Sequence, residues 1–130
     1  MTENEIATVV VDCAYQIHKA VGPGLLESVY ETILADALQQ RGLKVERQKP
    51  IPITFEGRKL DEGFRADLLV YGKVIVELKS IEQLARVHKK QLMTYLRLSG
   101  MKLGLLINFG GELFRGNIER LVNGLPEASA

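Results

Sequence analysis

A lone cysteine, Cys13, has no partner for an intrachain disulfide. A disulfide-built scaffold is therefore excluded, and a reducing, cytoplasmic setting is expected. Cys13 lies on the apolar side of a predicted helix, where a free thiol behaves as a small buried hydrophobe. Long apolar runs are missing too, so a bilayer-spanning helix of ~20 residues has nowhere to form and no membrane partner is expected. The opening "MTENEIATVV" has neither the basic start nor the cleavage site of a signal peptide. Neither sign of charge dominates. Seventeen Lys and Arg against sixteen Asp and Glu leave a formal net charge of +1, so bulk charge does not announce a nucleic-acid binder. Repeats, linkers and low-complexity tracts are also lacking. What remains, 46% hydrophobic and 25% charged over 130 residues, fits a single globular domain, 1–130, with one core.

The distribution of charge says more than its sum. From Arg86 to Lys102 the basic residues Arg86, His88, Lys89, Lys90, Arg97 and Lys102 meet no acid. On charge alone this reads as a solvated helix face. Thr2 and Glu5 have the spacing of a capping box, and Ile6, Val9, Val10, Cys13, Ala14 and Ile17 then recur at helical period, predicting a helix to about Ala20. "GPG" at 22–24 stops it. A second helix should bury Leu26, Val29, Tyr30, Ile33, Leu34, Ala37 and Leu38 and end at Gly42. The period then falls to two. "LKVERQK" and "PIPITFEG" are extended, with Pro50 and Pro52 arguing for a sheet edge or a bend. "RKLDEGF" suggests a turn near Gly63. Beyond a hairpin around Gly72, a third helix is expected from about Glu82 to Leu98, closed by Gly100, and "KLGLLIN" as a buried strand. "GNIERLVNG" is compatible with a short last strand, and "LPEASA" should fray. Strand, long helix and strand form a crossover with a parallel pair. The predicted class is α/β (α+β), a mixed central sheet flanked by helices.

Within the hairpin "RADLLVYGKVIVELKS" (65–80), three charges interrupt two oily strands. Buried charge is costly unless paired. An odd loop centred on Gly72 puts Asp67 opposite Glu77. Ala66, Leu68, Val70, Val74, Val76 and Leu78 then share a wholly apolar face, and Asp67, Leu69, Ile75, Glu77 and Lys79 share the other. An even loop would scatter the charges over both faces. Directly opposed residues stand about 5 Å apart at Cβ. Two carboxylates at such a distance repel by roughly 4 kcal/mol at an effective dielectric of 20, so they need compensation or a proton. Lys79 offers one positive charge, and a divalent cation offers two.

Asp67 followed by Glu77-Leu78-Lys79 resembles the Asp…Glu-x-Lys signature of the PD-(D/E)XK nuclease superfamily, with Ala66 where a proline often precedes the Asp. "GLLESVY" (24–30) is similar to the pattern that names the GxxExxY family within it. The likeness extends from about Ile17 to Val122 and includes "QIHKAVGPGLLESVYE", "DEGFRADLLV" and "VIVELKS". It implies a restriction-endonuclease-like α-β-β-β-α-β core with an extra N-terminal helix. The activity it implies is a hydrolase, a Mg²⁺-dependent nuclease in which Mn²⁺ can substitute, acting on nucleic acid and by expectation DNA.

By the same resemblance Asp67 and Glu77 hold the metal with the Leu78 backbone carbonyl, and Lys79 orients the attacking water. Glu27, in the first turn of the second helix, is on residue chemistry a dipole-favoured acid; the resemblance makes it a metal-site carboxylate. Gln91 and Tyr95, four apart on one helix face, resemble the Q-x-x-x-Y element of RecB-type nucleases and would line the nucleic-acid path, with Arg86, Lys89, Lys90 and Arg97 on phosphates. Tyr30 is either a half-buried aromatic with a bonded hydroxyl or a phosphate contact. His18 is either a helix-end cap or a metal ligand. Two other functions use the same residues: a non-catalytic nucleic-acid- or protein-binding module on this scaffold, and a phosphoesterase acting on small nucleotides. A homodimer or a separate protein partner is compatible with an edge-stranded domain.

Overall fold

A computed structural model gives the fold for residues 1–125; the expected fraying of the C-terminal tail falls, from Pro126 onward, outside the described residues. Helix α1 (Glu3–Val21) opens with the predicted box: Glu5 N–H donates to Thr2 Oγ1 at 3.1 Å, and Thr2 N–H donates to Glu5 Oε1 at 2.9 Å. Helix α2 (Glu27–Gln40) follows the GPG break. The strands β1 (Val45–Phe55), β2 (Arg58–Val70), β3 (Val74–Lys79), β4 (Leu103–Asn108) and β5 (Ile118–Val122) form one sheet in that order, with α3 (Arg86–Ser99) crossing from β3 to β4. Pairing is antiparallel except between β3 and β4, which are parallel. The expected mixed sheet, restriction-endonuclease-like core and additional first helix are therefore present.

The sheet separates two apolar layers. Ile6, Val10, Ala14, Tyr30, Leu34 and Leu38 of α1 and α2 cover Leu68, Val70, Val74, Val76, Leu78 and Leu105. Leu92 and Leu96 of α3 cover Leu69, Ile75 and Leu106 on the opposite face. Complete burial of such side chains stabilises the fold by about 1.5–3 kcal/mol each. The hairpin faces follow the predicted alternation except at Ala66, which packs in the α3 layer with Ile51.

Three further expectations are corrected. Leu26 is 72% exposed and Val29 is exposed as well; the buried stripe of α2 is rotated to include Glu31 instead. The β1–β2 turn lies at Glu56–Gly57, not near Gly63. Both turn residues have positive φ (50° and 75°), the combination whose twist suits a two-residue hairpin. Gly63 lies inside β2 because a Cβ there would come within 2.3 Å of Ile53 Cγ2. This crowding faces the register break between Ile51 and Ile53, where Pro52 is accommodated on the edge strand. Finally, α3 starts at Arg86 and not at Glu82. Wholly buried Asn108 ties down the bent preceding segment by accepting from Ile81 N–H (3.0 Å) and donating to the Ile81 carbonyl (2.8 Å). His88 Nδ1 then accepts from Ala85 N–H at 3.0 Å and closes the first turn.

Candidate active site

The β2–β3 ladder runs Val70↔Val74, Leu69↔Ile75 and Leu68↔Val76, the register of an odd loop centred on Gly72. The next pair in that register is Asp67 with Glu77, and there the ladder ends. β3 stays paired with β4 as far as Lys79↔Asn108, while β2 remains with β1. In the resulting fork, Leu78 N–H donates to Asp67 Oδ2 at 2.8 Å. A side chain thus replaces the missing backbone acceptor and turns the Asp67 carboxylate toward β3.

Glu77 is the most perturbed acid at this fork. Burial, then the Asp67 charge, then a hydrogen bond shared with Asp67 push its carboxyl up to about 8, against a smaller opposing pull from Lys79. At neutral pH it therefore holds a proton between itself and Asp67, as expected for two close carboxyl groups with insufficient positive charge. Among the described residues its Oε1 is buried without a hydrogen-bond partner. Lys79, on the same face two residues on, is half-buried and makes no salt bridge among the described residues.

Two helices flank the fork. At the start of α2, Glu27 has its pKa raised by burial and by Asp67 and Glu31, opposed by Lys79, which puts it in the same electrostatic field. The loop before it is tied down twice: Ser80 Oγ donates to the Leu25 carbonyl at 2.7 Å, and Tyr30 Oη donates to the Gly22 carbonyl at 2.5 Å. From α3, Tyr95 stacks on Phe64 with centroids 4.0 Å apart, and its hydroxyl accepts from Gln91 Nε2 at 2.7 Å. Its pKa is raised by burial and then by Glu77.

Other expected residues are placed differently. Tyr30 is fully buried, stacked on Phe109 at 4.5 Å. Its hydroxyl also accepts from Leu25 N–H at 3.3 Å, which makes it scaffold for the loop and removes it as a phosphate contact. His18 Nε2 lies 2.8 Å from the Gly111 carbonyl and must donate to it. Its ring packs by Phe114. Arg86 and Lys90 are exposed on α3, whereas Lys89 is paired with Glu119 at 3.6 Å.

Sequence reasoning missed Glu31, Arg47 and Gln48. Glu31 is buried and accepts from Arg47 Nε (3.0 Å) and from Gln48 Nε2 (2.5 Å). Gln48 Nε2 also donates to Asp67 Oδ1 at 3.2 Å. The available signals were an acid one helical turn after Glu27 and a glutamine three residues beyond Val45 on the edge strand.

The residues at the fork suit a divalent cation in one respect and limit it in another. Two carboxyl groups sharing a proton, one of them with an unpartnered buried oxygen, match the hard oxygen donors that Mg²⁺ takes, one or two carboxylates with waters completing the shell. Among the described residues, however, no group of three or more His, Cys, Asp or Glu side chains is close enough to hold a metal. Asp67 and Glu77 are the two carboxyl groups that the fork brings together, while the His18 ring nitrogen is engaged with the Gly111 carbonyl.

A sequence profile of the PD-(D/E)XK nuclease superfamily matches residues 4–121, and the chain belongs to that superfamily. Among solved structures, the crystal structure of SSO0001 is similar at 22% identity with a TM-score of 0.35, over 88% of this chain. The chain spans 64% of the length of that protein. No curated protein matches.

Proposed function

We propose that the chain is a GxxExxY-type nuclease of the cytoplasm, a hydrolase that cleaves phosphodiester bonds of nucleic acid, with DNA as the expected substrate. The observation that carries this reading is the fork itself: Glu77, buried beside Asp67, is pushed up to about 8, Leu78 N–H holds the Asp67 carboxylate toward it, and the neighbouring Lys79 amine makes no salt bridge among the described residues. Asp67, Glu77 and the Leu78 carbonyl would hold Mg²⁺ or Mn²⁺. When bound, such an ion polarises a phosphoryl oxygen and lowers the pKa of water.

The chain's own groups then have separable tasks. Leu78 N–H orients the Asp67 carboxylate. Glu77 gives up its shared proton when a cation replaces it. Lys79 Nζ orients the attacking water and opposes the negative charge that grows on the phosphorane-like transition state, where a preorganised donor is most effective. Glu27 takes part through water at the rim, and Gln91 and Tyr95 line the approach, with Arg86 and Lys90 on backbone phosphates. Attack by water with departure of the 3′ oxygen leaves a 5′-phosphate.

The near-neutral charge and the two-carboxylate donor set favour one other reading, a binding module without catalysis. A panel of labelled DNA and RNA substrates, single- and double-stranded, with Mg²⁺ or Mn²⁺ tests both. Cleavage abolished by chelator and reduced at least ~100-fold by Lys79→Ala is expected from loss of one transition-state donor. Binding without cleavage would favour the module, and equal cleavage by Lys79→Ala would remove the catalytic reading.

A further inference from the structure

The site's carboxylates are supported by a side chain from the edge strand that the nuclease reading leaves unused. Gln48 is exposed on β1, yet its backbone takes φ of 48°, a left-handed conformation that costs a non-glycine residue about 1–2 kcal/mol. It lies between the pairs Arg47↔Leu68 and Lys49↔Ala66 without a register shift, at the step where Ala66 and Leu68 fall on opposite faces of the sheet. The side chain it carries spans two acids: Nε2 lies 2.5 Å from Glu31 Oε1 and 3.2 Å from Asp67 Oδ1.

We infer that Gln48 is a positioning residue for Asp67, held by Glu31, which fixes the carboxylate for a divalent cation without neutralising it. This rests on the nuclease reading of the fork. With Gln48 on Oδ1 and Leu78 N–H on Oδ2, both oxygens of Asp67 have a donor, so the carboxylate plane is set from two sides. The donor on Oδ1 is uncharged. The guanidinium of neighbouring Arg47 is committed to Glu31 Oε2 at 3.0 Å and Thr32 Oγ1 at 2.9 Å, and its charge offsets the buried Glu31. An amide therefore orients Asp67 while its negative charge stays available to a cation. Outer-shell partners of this kind are worth about 10–100-fold in metal affinity.

The test is a calorimetric Mn²⁺ titration of the full chain and its variants, beside urea unfolding without metal. Gln48→Gly removes the amide and suits the left-handed backbone; Gln48→Asn keeps an amide and tolerates that backbone but is too short to span both acids. Both should bind Mn²⁺ about 10–100-fold more weakly than wild type, while the unfolding midpoint of Gln48→Gly stays level or rises. A residue that only stabilised the sheet would give the reverse pattern. Wild-type Mn²⁺ affinity in both variants, with binding lost in Asp67→Asn, would overturn the positioning role alone. Mn²⁺ binding that is absent from wild type, or equal in wild type and Asp67→Asn, would overturn the site reading and the positioning role with it.

Discussion

Glu77→Gln should change how stability depends on pH in the metal-free protein. Folding raises the Glu77 carboxyl from an ordinary 4.5 to about 8, first by burial and then by Asp67. Between those values the folded chain holds a proton that the unfolded chain has lost, so stability falls as pH rises through this window. A shift of that size sets a ceiling of roughly 5 kcal/mol, and relaxation with water entry should reduce it to about 2–4 kcal/mol. In urea, with slopes of about 1–3 kcal/mol per molar, the unfolding midpoint should drop by about 1 M or more between about pH 5 and about pH 8 in chelator. Glu77→Gln keeps the size and a donor for Asp67 but cannot ionise. Its midpoint should vary much less over the same range and exceed wild type at the alkaline end. Parallel pH profiles for the two proteins would refute the shared proton.

Other perturbations separate scaffold from site. Gly63→Ala should cost about 1–3 kcal/mol by overpacking against Ile53, with part regained in Ile53→Val/Gly63→Ala; thermal unfolding of both variants would show it. Tyr30→Phe leaves the Gly22 carbonyl and Leu25 N–H without the hydroxyl and should cost about 1–3 kcal/mol in urea unfolding, with nucleic-acid affinity unchanged in its folded fraction. The double variant Arg86→Ala/Lys90→Ala should weaken nucleic-acid binding similarly across sequences and reduce the salt slope by about one per lost phosphate contact. An unchanged slope in fluorescence anisotropy would put the nucleic-acid path elsewhere.

What could be read in the sequence was governed by short-range rules. The hairpin register followed from an odd loop and from segregating charge to one face, because a one-residue slip would have buried Glu77 and Lys79 among the aliphatics of the other layer. The Thr2–Glu5 box and the strand–helix–strand crossover were legible for the same reason. The errors have longer-range causes. "IEQL" fits helical spacing, but Asn108, 27 residues away, takes both backbone groups of Ile81 and holds the segment in a bend outside the helix. "EG" at 56–57 and "DEG" at 61–63 are comparable turn signals, and only the β1–β2 pairing chooses between them. Glu31 and Gln48 gave no local signal because their partners come from other elements: Glu31 meets Arg47 and Gln48 of the edge strand, and Gln48 meets Asp67, 19 residues further on. His18 had the right chemistry for a ligand, but folding brought it to Gly111 instead of to the carboxylates.

The count of protons released on metal binding bears most directly on the fork. Mn²⁺ titrated into the protein near pH 7 by calorimetry, in two buffers of different ionisation enthalpy, gives that number. Displacement of the Asp67–Glu77 proton predicts close to one proton per ion in wild type and close to none in Glu77→Gln. Tight binding with no proton released, or the same release from both proteins, would contradict it.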